Sequence, residues 1–336
     1  MIQQSIEKLS RQADLSASEM SSVMNQILTG ACSTDQVAAF LAALADKGET
    51  VEEIVSAARV MRSHAVAIHC DSPVILDTCG TGGDKKNSFN VSTCASVVIA
   101  ACGVTIAKHG NRSVSSKCGS ADILESLGVT ISLSKEKVER SLNEIGIAFL
   151  YAPDFHPAMK FAAPARKQLG RRTIFNILGP LCNPANATHQ LIGVYSAELG
   201  PTISAVAGRL GTKRCLCVHG DGVMDEITTT GPTEINESRA GRMENYSISP
   251  ADFGFPLVGY DDLLGGSPDD NAATMLRILK GEKGPKRDIV VFNCGGALYA
   301  ADKAASIKEG IAMAVEAVDS GAALEKLEQL RTYSRS

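Results

Sequence analysis

The residues best suited to chemistry fall in four short polar stretches and one basic run. Asp77-Thr-Cys-Gly-Thr-Gly-Gly-Asp84 follows the apolar run Val74-Ile75-Leu76. Glycine lets a backbone turn sharply and lets successive amide N–H groups converge on an anion. Between a strand and a helix, such a loop suits a phosphate or pyrophosphate. A tight turn needs fewer glycines than Gly80, Gly82 and Gly83, which are also flanked by acids. Next comes Ser88-Phe-Asn-Val-Ser-Thr93, just before an apolar segment. Capping a helix there takes one polar side chain. Asn90, Ser92 and Thr93 together exceed that and offer donors to phosphate oxygens, or a hydroxyl ligand to a hard metal ion.

The third stretch is Lys108-His-Gly-Asn-Arg-Ser-Val-Ser-Ser116. Lys108 and Arg112 bring charge, and Asn111, Ser113, Ser115 and Ser116 bring directed hydrogen bonds, on a loop of the kind that holds ligands beyond parallel strands. A merely solvated loop would not need that set. The fourth is Asp225-Glu226 in VHGDGVMDEIT. Paired carboxylates on a loop usually carry no message. These follow a strand and a Gly-Asp-Gly turn in a chain whose candidate ligand is a polyanion, and magnesium bridging a pyrophosphate needs such oxygens. The basic run, HPAMKFAAPARKQLGRRTIFNILGPLCNP around Arg166, reads by itself as surface charge on a helix.

These loops must be positioned by something, and the composition permits a large scaffold. The chain has 336 residues, 44% apolar and 21% charged, with a formal net charge of −4. That is enough for one large domain and a smaller one. The absence of a basic excess argues against a nucleic-acid surface. The start MIQQSIEKLSRQADLS has no apolar core of a secretory signal. The apolar run from Ala95 to Ala107 is broken by Gly103 and too short to span a bilayer, so no membrane partner is expected. Ten cysteines without a CxxC pair predict a reduced, cytoplasmic compartment, with Cys94, Cys102, Cys215 and Cys217 as small core hydrophobes. HExxH, GxxxxGK[ST], GxSxG and GxGxxG are all missing.

Periodicity predicts helices through the first 66 residues. Ser16 or Ser18, Ser33 or Thr34, and Thr50 are placed to cap them, and Gly48 to end one. Their apolar faces carry Met20, Val23, Ile27 and Leu28; Val37, Phe40, Leu41 and Leu44; and Val51, Ile54, Ala58 and Met61. Strands then alternate with helices. Strands are expected at 74–76, 104–107, 147–151, 191–195, 214–218 and, late in the chain, Asp288 to Asn293. Helices are expected at 93–102, 121–127, 138–146 and 156–170, with another at the C-terminus. Such alternation implies an α/β fold with a mostly parallel central sheet. The expected division is a small helical domain of residues 1–70, joined by helices from about 153–178, and a large α/β domain of residues 71–152 and 179–336.

In order and spacing, GTGGD, NVST, KHGNRSVSS, RTIFNILGPLCNPA and VHGDGVMDEI resemble the anthranilate phosphoribosyltransferases over nearly the whole chain. The resemblance implies a nucleoside phosphorylase/phosphoribosyltransferase-like fold, a homodimer, and transfer of phosphoribose from phosphoribosyl pyrophosphate to the amine of anthranilate, in tryptophan biosynthesis. It implies two Mg²⁺ ions per monomer, with Ser92, Asp225 and Glu226 as metal ligands. The phosphoribosyl pyrophosphate site would comprise Gly80, Gly83, Asp84, Ser88, Asn90, Val91, Ser92, Thr93, Lys108, His109, Gly110, Asn111, Arg112, Ser113, Val114, Ser115, Ser116 and Ser120. Gly80, Asn111 and Arg166 would contact anthranilate, and Lys108, Asp225 and Glu226 would carry catalysis. Two places depart from the family pattern. Lys85-Lys86-Asn87 stands where a smaller, glycine-containing sequence is expected, and Cys118 where a serine is.

The residues fit that reaction. An aromatic amine is already neutral near pH 7, so no strong general base is required, and His109 would be a poor one. The barrier lies in the departing pyrophosphate and in positive charge developing on the ribose, which cations and loop amides can offset. A pyrimidine nucleoside phosphorylase-like enzyme would share the fold without essential magnesium, but Asp225-Glu226 and the complete loop set weigh against it. A non-catalytic nucleic-acid-binding relative would lose those carboxylates and gain a basic groove.

Overall fold

The computed structural model describes residues 1–82, 88–113 and 118–336. It begins with four helices: α1 (Ile2–Ser10), α2 (Ala17–Leu28), α3 (Thr34–Lys47) and α4 (Val51–Ser63). Ser16, Ser33 and Thr50 each accept a bond from the third backbone N–H of the helix that follows. Glu19, Gln36 and Glu53 return the bond to the cap, which satisfies donors that a helix start leaves open. Gly48, at φ 87°, ends α3. The Val37, Phe40, Leu41 and Leu44 face is buried inside the subunit. It is the core of the helical bundle.

The rest of the chain alternates. In order come β1 (Ile75–Gly80), α5 (Val91–Ala101), β2 (Thr105–Gly110), α6 (Ser120–Ser126), α7 (Lys135–Glu144) and β3 (Ile147–Tyr151). A helical stretch follows: α8 (Ala152–Phe155), a 3-10 turn at Pro157–Phe161, α9 (Ala163–Leu169) and α10 (Ile174–Leu181). Then come β4 (His189–Gly193), α11 (Leu199–Arg209), β5 (Arg214–Gly220), β6 (Thr233–Arg239) and β7 (Arg242–Ile248). The chain closes with α12 (Pro268–Leu279), α13 (Pro285–Ala300), α14 (Ile307–Asp319) and α15 (Ala322–Arg335). The seven strands form one sheet in the order β3-β2-β1-β4-β5-β6-β7. The first five are parallel, and β6 and β7 are antiparallel.

Strand alternation separates two large cores, beside a smaller one of Ile75, Ala107, Ala148 and Leu150 with Val138 and Leu142 of α7. Leu216 and Val218 face a core built with α5, α6 and α12–α15. Cys215 and Cys217 face the other, shared with α1–α4, α9, α10 and α11. Asp288 to Asn293, expected as a strand, lies inside α13. That helix is buried on nearly every side, so it lacks the one-sided periodicity that marks a surface helix. Its β-branched Ile-Val-Val run then imitates a buried strand.

At the starting end of β5, the Arg214 guanidinium is buried. It donates to Glu237 Oε1 (2.7 Å), to the Tyr299 carbonyl (2.7 Å) and to Asp302 Oδ1 (2.8 Å), and it lies 3.6 Å from the Tyr299 ring centroid. It ties the β5–β6 pair to the end of α13. Removing one member of a buried ion pair leaves the other uncompensated, at a cost of about 3–5 kcal/mol. Arg214→Ala should therefore lower the urea midpoint by that equivalent. The site lies at the other end of β5, about 20 Å away, so kinetic constants per folded molecule should not move. An unchanged midpoint would remove this cluster from the chain's stability.

Candidate active site

The chain runs outward through β1, β2 and β3, then returns to β4 beside β1. The crevice beyond the carboxyl ends of β1 and β4 is thus a topological switch point, where α/β sheets hold ligands. Gly80 ends β1, Gly110 ends β2, Gly193 ends β4 and Gly220 ends β5. The VHGDGVMDEI loop folds back over these ends. Gly82 N–H donates to Asp225 Oδ2 (3.0 Å). A Cβ at Gly193 would overlap the Asp225 carbonyl, so the close approach of this loop requires glycine there. Glu226 lines a small cavity with Thr78, Cys79, Ser92 and Asn293. Asn293 clamps the residue after Glu226: its Oδ1 accepts from Ile227 N–H (3.0 Å) and its Nδ2 donates to the Ile227 carbonyl (2.7 Å).

Successive residues of β2 point to opposite faces. Lys108 is buried and donates to the Thr78 carbonyl (2.6 Å) and to Ser92 Oγ (3.3 Å). Burial pushes its pKa down, and Asp77, Cys79 and Glu226 resist that shift. Asp77 itself is fully buried: Oδ1 accepts from His109 N–H (3.2 Å) and Oδ2 from Asn183 Nδ2 (2.8 Å). Asn183 also donates to the Ala107 carbonyl (2.8 Å). This pair locks β1 to β2 beneath the site, and Asn183 carried no signal in the sequence beyond its place in CNPA.

His109 turns the other way. Its ring lies 5.1 Å from that of His156, and both rings are buried with an Nε2 that meets no partner among the described residues. Burial pushes His109 down to about 3 and His156 to about 4 from the ordinary 6.5. His109 is thus a neutral ring in the interior and not a base. Both folded values lie below the unfolded one. Above pH 6.5 the rings are neutral in either state and their contribution to stability is complete. As pH falls below 6.5, the unfolded chain takes up protons that the folded chain refuses. Stability should then drop by up to about 1.4 kcal/mol per pH unit for each ring, ending only near the folded values. Urea midpoints measured from pH 7 to pH 5 should show this slope, and His156→Phe should flatten it. A variant with the parent's slope would exclude His156 as a source.

Several of the remaining candidates are engaged within the scaffold. Thr93 is buried and donates to Ser120 Oγ (3.1 Å). Arg112 is bidentate on Glu125 and shares Asp122 (3.0 Å), and Asp122 also accepts from Ser113 N–H (3.1 Å). Asn90 Nδ2 donates to the Cys118 carbonyl (3.1 Å). Asn111 Oδ1 accepts from Arg112 N–H (2.7 Å), Val91 opens α5, and Ser88 bridges to Leu264. Gly83, Asp84, Val114, Ser115 and Ser116 lie outside the described residues, as does the Lys85-Lys86-Asn87 departure. Arg166, on α9, is half-buried 5.7 Å from the Phe175 ring centroid. Among the described residues its guanidinium meets no carboxylate.

No group of three His, Cys, Asp or Glu side chains gathers as a metal cage among the described residues. Magnesium does not need one, because it is usually held by one or two carboxylates together with substrate phosphates and water. Asp225, Glu226 and the Ser92 hydroxyl are an oxygen-only set of that kind.

Two family models describe this chain: the glycosyl transferase family a/b domain matches residues 72–324, and its helical bundle domain matches residues 3–65. The anthranilate phosphoribosyltransferase of Alkaliphilus metalliredigens (strain QYMF) is 50% identical over 335 residues, covering 100% of this chain and 99% of that protein. The chain belongs to the anthranilate phosphoribosyltransferase family. The family's Thermus thermophilus crystal structure superposes with a TM-score of 0.94 at 42% identity, covering 99% of each chain. The family's Saccharomyces cerevisiae enzyme, in complex with PRPP and Mg, gives 0.91 at 29% identity, covering 99% of this chain and 98% of that one.

Proposed function

We propose that the chain transfers the phosphoribosyl group of 5-phosphoribosyl 1-pyrophosphate to the amine of anthranilate, releasing pyrophosphate, in tryptophan biosynthesis. The observation that carries this reading is convergence at the switch point. The Asp225 carboxylate reaches the Gly82 amide, and the buried Lys108 ammonium lies on Ser92. Cation, carboxylate and hydroxyl so arranged suit a pyrophosphate and its counterion. Asp225, Glu226 and Ser92 would hold Mg²⁺, at two ions per monomer, and the bound metal would neutralise charge on the leaving pyrophosphate. Lys108 contributes a fixed positive charge beside those oxygens. The amine nitrogen forms a bond to the anomeric carbon as the bond to the pyrophosphate oxygen breaks, and the amine then releases a proton to water. Orientation of the two substrates supplies much of the remaining acceleration.

The substrate roles follow the same reading. The phosphoribosyl pyrophosphate is assigned to Gly80, Gly83 and Asp84, to Ser88 and Asn90–Thr93, and to Lys108–Ser116 with Ser120. Anthranilate is assigned to Gly80, Asn111 and Arg166, between a small domain of residues 1–70 with 153–178 and the large domain formed by the rest. All ten cysteines are thiols, in keeping with a cytoplasmic enzyme.

Loss of anthranilate fluorescence on adding phosphoribosyl pyrophosphate and Mg²⁺ tests the reaction. Persistence of the signal with folded protein would overturn it. Phosphorolysis of a pyrimidine nucleoside without magnesium would point to the phosphorylase instead. We also assign a homodimer, for which light scattering at micromolar protein should give twice the chain mass; a strictly monomeric mass would exclude it.

A further inference from the structure

Building on the phosphoribosyl pyrophosphate reading above, we propose that Asn271 is a positioning residue for that site, acting through the side-chain amide of Asn90. Asn271 lies on α12, far from either loop in sequence, and is buried. Its Oδ1 accepts from Gly266 N–H (2.8 Å), and its Nδ2 donates to Asn90 Oδ1 (3.0 Å). Asn90 Nδ2 in turn donates to the Cys118 carbonyl (3.1 Å). Two side-chain amides thus form a relay. It runs from the segment before α12, through the start of α5, to the segment that enters α6. It joins Asn90, assigned to the substrate, to Cys118, two residues before Ser120, which is assigned to the substrate as well.

The backbone beside the relay is held as well. Phe89 N–H donates to the Leu263 carbonyl (3.0 Å), Ser88 bridges to Leu264, and Lys286 Nζ donates to the Leu264 carbonyl (2.6 Å). At Gly265 a Cβ would stand 2.9 Å from Phe89 Cα and 3.0 Å from Phe89 N, so the segment presses on Phe89 closely enough to require glycine.

The relay also explains an oddity at α5. Asn90 is its N-cap, yet its side chain makes no capping bond, although asparagine is among the strongest caps. Asn271 and Cys118 take both ends of that amide. The first turn of α5 is thereby left without a side-chain cap, its dipole open to an anion. An asparagine needed only for packing would have no reason to address a cap residue in this way.

The test uses Asn271→Asp and Asn271→Ala, each also in an Asn90→Ala background. Asp preserves size and the acceptor for Gly266 but has no donor for Asn90; Ala controls for the added charge. Losing one neutral hydrogen bond should raise KM for phosphoribosyl pyrophosphate roughly three- to tenfold. KM for anthranilate should change less than about twofold, while the melting temperatures of both variants should fall, because each loses a buried hydrogen bond and Asp adds a buried charge. Once Asn90 is alanine, neither Asn271 change should raise KM further. Equal shifts in both KM values, full additivity with Asn90→Ala, or failure of both single variants to fold would overturn the positioning role in favour of a structural one. An unmodified chain that consumes no anthranilate would overturn the functional reading, and this role with it. Unchanged KM values against an active parent would overturn the role of Asn271 alone.

Discussion

Changing Asp225 to Asn and Glu226 to Gln together is expected to abolish turnover at ordinary magnesium concentrations while leaving the fold intact. Asn at 225 retains an oxygen for the Gly82 amide, and Gln at 226 retains the volume that lines the cavity with Ser92 and Asn293. What disappears is the pair of hard anionic ligands. A metal that polarises phosphoryl oxygens contributes several kcal/mol to the transition state, so a loss on the order of 10³-fold or more is expected. Lys108 remains in the variant, but one fixed ammonium cannot replace a divalent ion on a pyrophosphate. Steady-state turnover with magnesium varied, alongside a thermal melt, decides the matter. Near-normal activity in a folded double variant would remove both residues from the metal site.

Much of the scaffold was legible because local chemistry agreed with the tertiary fold. Ser16, Ser33 and Thr50 could be read as caps because their partners lie three residues away. Four of the five parallel strands could be read because each ends at a glycine that opens a polar loop, namely Gly80, Gly110, Gly193 and Gly220. The β6–β7 hairpin was not legible. Its strand β7 is an exposed edge without apolar alternation, and its turn, Ala240-Gly241, lacks the Asn-Gly or Asp-Gly signature. The fully buried α13 failed for the opposite reason, having too little polar surface to show its period.

The candidate site divides along similar lines. Residues within a loop announce each other by proximity in sequence, as in GTGGD or KHGNR. The amides that hold those loops do not. Asn183 reaches Asp77, Asn293 reaches Ile227 and Asn271 reaches Asn90 across 106, 66 and 181 positions. A single asparagine in an apolar helix or turn has no periodicity to betray it. Only the folded chain shows that the partners are a buried carboxylate, a backbone group and a helix cap. Arg112 shows the converse. Its charge was legible, but its commitment to Glu125 and Asp122 was not.

Arg166→Ala should impair use of anthranilate far more than use of phosphoribosyl pyrophosphate. The neighbouring Arg171 is an ordinary surface arginine, 2.8 Å from Asp46 and bonded to the Ala42 carbonyl. Arg166 has no such carboxylate among the described residues, although it is half-buried and burial pushes its pKa down. A partly desolvated cation without a counterion is costly to maintain, and a carboxylate-bearing substrate would relieve that cost on binding. Anthranilate carries its carboxylate beside the reacting amine. A planar guanidinium holding the one therefore aims the other. A charge-assisted hydrogen bond contributes roughly 1.5–3 kcal/mol. The value of kcat/KM for anthranilate should accordingly fall about tenfold to somewhat over a hundredfold. The phosphate loops sit on other elements, so KM for phosphoribosyl pyrophosphate should hardly change. Because removing an uncompensated cation relieves desolvation, the variant should be no less stable than the parent, apart from lost packing on Phe175. Kinetics with each substrate varied in turn, together with a melt, separate these outcomes. An unchanged anthranilate parameter, or an equal loss for both substrates, would contradict the role assigned to Arg166.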